Sequence, residues 1–141
     1  ARYEILNETY VKKLQIEARV IGDICLNHVI PASVKYHNVL IENIKGMKDI
    51  FGDDYLNYCA SEIETLKKIS TYINNVSADV EGLVEARKKA NRIEAIAERA
   101  KVYSYEVKDM MEKVRMSADN LEMLIDDEVW PLPKYRELLF F

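Results

Sequence analysis

Few side chains of the kinds that catalyse reactions or bind metals occur in this chain of 141 residues. It contains two histidines, His28 and His37, and two cysteines, Cys25 and Cys59. Di-iron sites in helical bundles use Glu-x-x-His pairs, and no glutamate lies three residues before either histidine. The cysteines form no Cys-x-x-Cys pair, so their spacing supports neither a zinc site nor a thioredoxin-type site. We therefore predict no catalytic, cofactor-binding or metal-binding residue in this chain.

Phosphate-binding loops and nucleophile elbows are also missing from the sequence. The four glycines are too far apart to cradle a phosphate, and no Gly-x-Ser-x-Gly segment occurs. Asp126, Asp127 and Glu128 form an acidic triplet, which is more often a solvated helix end than a cation site. Acidic side chains at a helix C-terminus oppose its macrodipole, so we expect Lys134 or Arg136 to fold back on them.

The histidines and cysteines have simpler structural roles in view of their sequence context. Cys25 and Cys59 both lie inside helical apolar patterns, which predicts buried free thiols in a reducing cytosol. His28 and His37 lie on or beside apolar stripes, so we expect each imidazole at the edge of the core with one hydrogen bond.

Long helices must position these side chains, because apolar residues recur at spacings of three and four almost throughout. One stripe runs from Val11 to Ala32 and another from His37 to Phe51, and the frame changes near Pro31. Proline kinks or breaks a helix interior. We predict a first rod kinked or broken at Pro31, with helices over about 7–29 and 32–50 that are either separate or arms of one bent rod.

Two further rods follow the Gly52-Asp53-Asp54 segment, which suits a helix end and the start of the next helix. The third stripe of the chain runs from Ile93 to Leu124. The second consists of Leu56, Cys59, Ile63, Leu66, Ser70, Ile73, Ser77, Val80 and Val84. The frame slips between residues 87 and 92, which predicts a hairpin turn there. No segment has the alternation of a strand. We predict an all-α fold, an elongated antiparallel bundle of three long rods, hence three to four helices.

Composition narrows the class of partner. The net charge is −4 and no basic face is evident, which disfavours nucleic acid as a partner. No apolar run approaches the roughly 18–20 residues that span a bilayer, so we predict no membrane partner and a cytoplasmic location. The chain opens without Met, which suggests a piece of a longer protein.

The last sixteen residues, 126–141, break the helical pattern and hold the only tryptophan. Prolines 131 and 133 cannot lie within a helix interior, and each biases the preceding residue toward an extended backbone. We predict residues 1–125 as the bundle and 126–141 as a docking tail. Its predicted interface side chains are Trp130, Pro131, Leu132, Pro133, Tyr135 and Arg136. The tail docks either on its own bundle or on a partner domain, and burial of Trp130 by its own helices would favour the first alternative.

Two blocks of the chain resemble the C-terminal region of type III glutamine synthetases, the long-chain bacterial class of glutamate–ammonia ligase. The terminal block, Asp127 to Phe140, is the specific part of the resemblance. The other similar segments are Tyr10 to Lys13, Ile16 to Asp23, Asn27 to Ala32, Leu40 to Asn43 and Arg87 to Asn91.

This resemblance implies the helical C-terminal module of an ATP-dependent ligase that joins ammonia to glutamate. In that family, carboxylate-bound Mg²⁺ or Mn²⁺ ions and the ATP site lie in upstream domains, between subunits of a ring oligomer. None of those motifs is matched here, so the fragment alone is expected not to catalyse or to bind a cofactor. Its expected partners are the catalytic domain of the same chain and neighbouring subunits, which it would brace. The alternative is a stand-alone helical interaction or coiled-coil module.

Overall fold

The computed structural model describes residues 2–126 and 128–130. These residues form five α-helices with no strand among them, and the prediction of an all-α fold of long rods is confirmed. The helices are α1 (Arg2–Ile24), α2 (Ile30–Phe51), α3 (Leu56–Asn91), α4 (Ile96–Val102) and α5 (Lys108–Glu122). Two π-helical turns, Cys25–Val29 and Tyr103–Val107, join α1 to α2 and α4 to α5, and a 3₁₀ turn, Gly52–Tyr55, joins α2 to α3.

The first rod continues through Pro31 because a π-helical turn precedes it. The amide of Ile30 donates to the carbonyl of Cys25, five residues back, which widens the turn. Pro31 therefore falls in the first turn of α2, where the missing N–H costs least. The Ser33 hydroxyl donates to the Val29 carbonyl at 2.7 Å. Of the two alternatives, separate helices or one rod, the structure shows one rod.

The first and second rods meet at Gly52, as predicted. Its φ is +59°, in the left-handed region where a side chain is strained. Within α3, Cys59 departs from helical geometry with φ −134° and ψ 26°, and its thiol donates to the Tyr55 carbonyl at 3.2 Å. The helix continues through Asn74, Asn75 and Gly82, although asparagine and glycine are weak helix formers.

The turn between α3 and α4 contains neither glycine nor proline, and a side chain stabilises it instead. α3 ends at Asn91, at the C-terminal edge of the predicted hairpin region. Arg99 donates from Nε to the Ile93 carbonyl at 2.8 Å. Ala95 is extended, with φ −68° and ψ 118°, before α4 begins.

The three rods pack along only part of their length. α1, the C-terminal half of α3 and the α4–α5 rod surround one apolar core, which includes Val11, Leu14, Ile69, Val76, Tyr103 and Leu121. α2 packs chiefly on the N-terminal half of α3. Within these two helices, residues 34–68 form a two-helix arm in which Cys59 alone is buried. The arm has little core of its own, so the three-helix part holds most of the buried apolar surface.

The buried stripe of α3 differs from its prediction. Cys59 and Val80 are buried as predicted, whereas the predicted Ser77 and Leu56 are exposed. Ile69, Val76 and Leu83 are buried one residue before the predicted Ser70, Ser77 and Val84, and Ala90 is buried as well. α3 contacts α2 on one side and α5 on another, so its buried face is wider than one stripe. The prediction of a single buried stripe on α3 was therefore wrong by one residue at Ile69, Val76 and Leu83 and right at Cys59 and Val80.

Candidate functional site

The histidines lie apart in the structure and form no joint site. His37 is half-buried, and its Nε2 lies 2.7 Å from the Ser70 hydroxyl, which confirms the predicted core-edge imidazole with one hydrogen bond. His28 is exposed, and its predicted place at the core edge is wrong. The π-helical turn adds one residue to the helical repeat, so Val29 takes the buried position instead.

Both cysteines are buried free thiols, as predicted. Burial raises the pKa of the Cys25 thiol to about 11. A thiol is nucleophilic as the thiolate, so Cys25 is inert at neutral pH. Among residues 2–126 and 128–130, no group of three or more His, Cys, Asp or Glu side chains is arranged to hold a metal ion.

A polar junction joins all three rods near the α3–α4 turn. Tyr103 is fully buried, and its hydroxyl donates to Asn91 Oδ1 at 2.6 Å. Gln15 donates from Nε2 to the same oxygen at 2.9 Å. The Asn91 amide thus accepts from both α1 and the third rod, and the junction fixes how the rods align. Apolar spacing does not predict this junction, because single polar residues in long helices give no periodic signal.

A second polar contact joins α3 to α5. The Ser117 hydroxyl donates to Asp79 Oδ2 at 2.6 Å, and Ser117 is buried. On the surface, Lys89 pairs with Glu106 at 3.1 Å. These contacts join α3 to the third rod.

The chain returns to the bundle at Trp130, which packs against a cavity of about 190 Å³ between the first rod and α5. Trp130 is only 8% exposed, and helices of its own chain cover it. The apolar lining consists of Ile21, Ile24, Cys25, Val29, Val114 and Ala118. Of the six predicted interface residues, Trp130 alone lies within the described residues. Pro131, Leu132, Pro133, Tyr135 and Arg136 lie outside them, as do Lys134 and residue 127 of the acidic triplet.

The mouth of this cavity is acidic. Arg115, Asp119 and Glu122 line it, and Arg115 is paired with Glu112 at 2.9 Å. Partial burial raises the pKa of Asp119, and the nearby charges of Glu122 and Glu112 raise it further, while Arg115 lowers it. Partial burial is the largest of these causes, and it disfavours the charged carboxylate.

Exposed apolar side chains mark two other surfaces. On α1, Ile5, Leu6, Ile16 and Val20 are exposed. At the end of the arm, Ile50 and Leu56 are exposed beside the rings of Phe51 and Tyr58, which stack with centroids 4.1 Å apart. No helix within the described residues is both long enough and apolar enough to cross a membrane.

The fold and these contacts define a helical-bundle domain in which a few polar side chains, among them Gln15, Asn91 and Tyr103, join helices to one another. Residues 1–48 match the family model named glutamine synthetase C-terminal domain. A glutamine synthetase of Bacteroides fragilis is 46% identical over 140 residues, which are 99% of this chain and 19% of that protein. A glutamine synthetase of Butyrivibrio fibrisolvens is 30% identical over 99% of this chain and 20% of its own length.

A type-3 glutamine synthetase of Dictyostelium discoideum is 28% identical over 99% of this chain and 19% of its own length. The chain therefore spans about one fifth of the length of the curated relatives that it matches. The resemblance to the C-terminal region of type III glutamine synthetases is confirmed.

Proposed function

We propose that this chain serves as the non-catalytic C-terminal helical domain of a type III glutamine synthetase and braces the catalytic domain of the same polypeptide. The whole protein would join ammonia to glutamate with ATP in the cytoplasm, using Mg²⁺ or Mn²⁺ held by domains outside this chain. Neighbouring subunits of a ring oligomer are further proposed partners. Similarity along 99% of this chain to one fifth of three synthetases supports the assignment.

The outward face of α1 is the observation that carries the bracing role. Val11, Leu14 and Ala18 face the core. At about 100° per residue, Ile5 and Ile16 fall on the opposite side of the helix. They are 63% and 64% exposed. Exposed apolar side chains that share one helix face are typical of a surface that packs against another domain.

This face lies in the segment that the glutamine synthetase C-terminal domain model matches, residues 1–48. In relatives about five times as long, the remaining polypeptide offers the partner surface that such a stripe requires. At 100° per residue, Lys12 and Arg19 border the stripe on one side, Glu17 borders it on the other, and Lys13 falls within it. We propose that Ile5, Leu6, Ile16 and Val20 contact the catalytic domain.

The test uses the full-length synthetase that contains this chain. The double substitution Ile16→Asp and Val20→Asp should lower glutamine formation about tenfold, since a buried unpaired carboxylate costs more than about 1.4 kcal/mol. Met116→Asp is the matched control, because Met116 is also exposed but lies on α5. Circular dichroism of the 141-residue chain checks that both variants keep a folded bundle.

The bracing role predicts loss of activity or assembly only for the α1 variant, with both bundles folded. Equal activity of the α1 variant and the Met116 variant would exclude this face as the contact. If the full-length protein made no glutamine with any metal and ATP, the synthetase assignment itself would be wrong.

A stand-alone interaction module is the second candidate, and the end of the arm favours it. The stacked rings of Phe51 and Tyr58, with planes 18° apart, are preordered and partly exposed beside Ile50. Preordered aromatic side chains lose little entropy on binding. The two candidates differ in the mass of the native polypeptide: a mature protein of 16.4 kDa would support the module, and a chain near the length of the relatives would support the synthetase.

A further inference from the structure

A cavity of about 190 Å³ opens on the groove between α1 and the C-terminal half of α3. Its floor is apolar, formed by Ala18 and Gly22 from α1 and by Val80, Leu83 and Val84 from α3. That volume exceeds the roughly 150 Å³ of an engineered apolar cavity that binds benzene. The groove therefore has room for one apolar side chain from outside the bundle.

Two arginines lie at the same level on opposite sides of this groove. α1 and α3 run in opposite directions and meet at the hydrogen bond between Gln15 and Asn91. Arg19 comes four residues after Gln15, and Arg87 comes four residues before Asn91. Both arginines are thus about one helical turn from this hydrogen bond, and both line the cavity.

Neither guanidinium is neutralised within the part of the chain that the structure describes. Arg19 is exposed and Arg87 is half-buried, and neither forms an ion pair with a residue in 2–126 or 128–130. Asp23 is the one carboxylate among the described residues of the lining, and it accepts a hydrogen bond from Asn27. Two arginines against one aspartate leave the lining with one net positive charge.

The position of Arg87 on its helix explains why this charge is partly desolvated. Arg87 follows the buried Leu83 by four residues, so its side chain emerges on the same face of α3. A partly buried cation that faces a like charge is unfavourable unless an anion completes the site. The planar guanidinium matches a carboxylate through two parallel hydrogen bonds.

We propose that this groove binds an acidic and apolar segment of the polypeptide outside the 141 residues, with a carboxylate side chain between Arg19 and Arg87 and an adjacent apolar side chain on the floor. The positive lining complements such a segment. Arg19 also borders the outward stripe of α1, so the groove is continuous with the surface proposed to contact the catalytic domain. The inference rests on the proposed function, because the partner segment belongs to the same polypeptide, and it adds the chemistry of that segment.

The test uses the full-length synthetase with Leu26 replaced by the photoreactive amino acid p-benzoylphenylalanine. Leu26 lines the cavity and is 49% exposed. Irradiation and mass spectrometry should give an adduct with a peptide from outside the 141 residues that has an acidic residue beside an apolar one. The same photoreactive amino acid at Met116, which is exposed on α5, is the control and should not label that peptide.

Charge reversal tests the role of the two arginines. Arg19→Glu with Arg87→Glu should lower the yield of the Leu26 adduct about tenfold, the factor that corresponds to about 1.4 kcal/mol of docking free energy. Lys88→Glu with Lys101→Glu is the matched control, because it changes the net charge equally at two exposed lysines outside the cavity lining, and it should keep the yield.

Three results of the photolabelling would overturn the proposal. They are equal adduct yields in the two charge variants, an adduct with residues 1–141 of a neighbouring subunit, and an adduct with a peptide that lacks an acidic residue. Circular dichroism checks that the charge variants keep their helices.

The facing arginines can also be tested in the 141-residue chain without the partner segment. Arg19→Glu places a carboxylate opposite Arg87 and should raise Tm by about 2 °C relative to Arg19→Gln, which has a similar helix propensity. Added salt should reduce this difference. Equal Tm values for the two variants at low salt would mean that the guanidiniums do not face each other, and the carboxylate site would be rejected.

Failure of the groove is distinguishable from failure of the bracing role. If Ile16→Asp with Val20→Asp lowers glutamine formation while the Leu26 probe labels nothing outside the 141 residues, the stripe keeps its role and the groove has no partner segment. If the expected adduct forms and depends on the two arginines while that α1 variant stays fully active, the groove stands and the stripe is excluded.

Discussion

The hydroxyl of Tyr103 lies 2.6 Å from Asn91 Oδ1 and ties the third rod to the last residue of α3. Tyr103 is fully buried and Asn91 is exposed, so the bond runs from the core to the surface of the turn. Gln15 donates to the same oxygen from α1. One amide oxygen thereby sets the positions of three helices, in a region where the turn has no glycine or proline to fix it.

Removing the donor of this hydrogen bond should lower the unfolding free energy less than removing its acceptor. Tyr103→Phe removes a donor and leaves Gln15 on the oxygen, so we expect a loss of about 1 kcal/mol in unfolding free energy. Asn91→Leu leaves the buried hydroxyl without its acceptor and should cost about 2–3 kcal/mol. Urea unfolding followed by circular dichroism measures both. If Tyr103→Phe lowered the unfolding free energy as much as Asn91→Leu does, the result would contradict a buried Tyr103 hydroxyl that depends on Asn91 as its acceptor.

The Ser117–Asp79 hydrogen bond should contribute measurably to stability. Ser117→Ala should lower the unfolding free energy by about 1–2 kcal/mol, because the hydroxyl donates to a carboxylate. Ser77→Ala is the control for helix propensity, since Ser77 is exposed on α3, and it should be neutral or slightly stabilising. If Ser117→Ala and Ser77→Ala had similar unfolding free energies, the Ser117–Asp79 hydrogen bond would make no net contribution to stability.

Substitution by alanine should change the stability of the chain in opposite directions at Gly46 and Gly52. Gly46 has open space where a Cβ would lie, so Gly46→Ala should stabilise α2 by about 0.5–1 kcal/mol. Gly52→Ala places a side chain at φ +59° and should destabilise by about 1 kcal/mol. Thermal unfolding of the two variants gives the comparison, and a stabilising Gly52→Ala would contradict the left-handed turn.

At Gly82, a Cβ would lie 2.6 Å from the terminal methyl of Met110. The gain in helix propensity is then opposed by displacement of a flexible side chain. Gly82→Ala should become more favourable, by up to about 1 kcal/mol, in a Met110→Ala background. Additive effects of the two changes in thermal unfolding would show that residues 82 and 110 do not meet.

The Cys25 thiol should make stability depend on alkaline pH. Its pKa rises from an ordinary 9.0 to about 11 in the folded chain. Between these values the unfolded thiol loses its proton and the folded thiol keeps it, so unfolding becomes easier as pH rises. Cys25→Ala lacks this effect. Its stability deficit relative to the original chain should shrink by roughly 2 kcal/mol between neutral pH and about pH 10.5.

Urea unfolding of both chains at matched pH values isolates this contribution, because lysines and tyrosines titrate equally in the two. A Cys59→Ser variant has Cys25 as its single thiol. In that variant, the rate of Cys25 alkylation should rise with pH, and the midpoint of the rise should lie above pH 9.0. A midpoint near the ordinary value would mean that the thiol is solvated.

Much of the helical framework could be predicted from apolar spacing, as the burial of Val11, Leu14 and Ala18 shows. The prediction failed at His28, where the wider π-helical turn transfers burial to Val29. A frame slip signals an irregularity but cannot tell a break from an inserted residue. It also failed along α3, because a helix with two neighbours buries a face wider than a single stripe.

The sites were less predictable than the rods. The tail composition drew attention to Trp130, and the position of its ring against α5 depends on packing that no local pattern encodes. The Asn91 junction and the Ser117–Asp79 bond unite residues far apart in sequence, and single polar residues in long helices resemble ordinary surface positions. Nothing in the spacing distinguishes them from their solvated neighbours.

The π-helical turn at Cys25–Val29 also has a rotational consequence. One residue turns an α-helix by about 100°, so an added residue changes which side of α2 continues the line of any side of α1. The turn thereby sets the angle, measured about the axis of the first rod, between the outward stripe of α1 and the surface of the arm. Deletion of one exposed residue in this turn, such as Leu26, would keep the buried side chains but rotate the arm relative to α1.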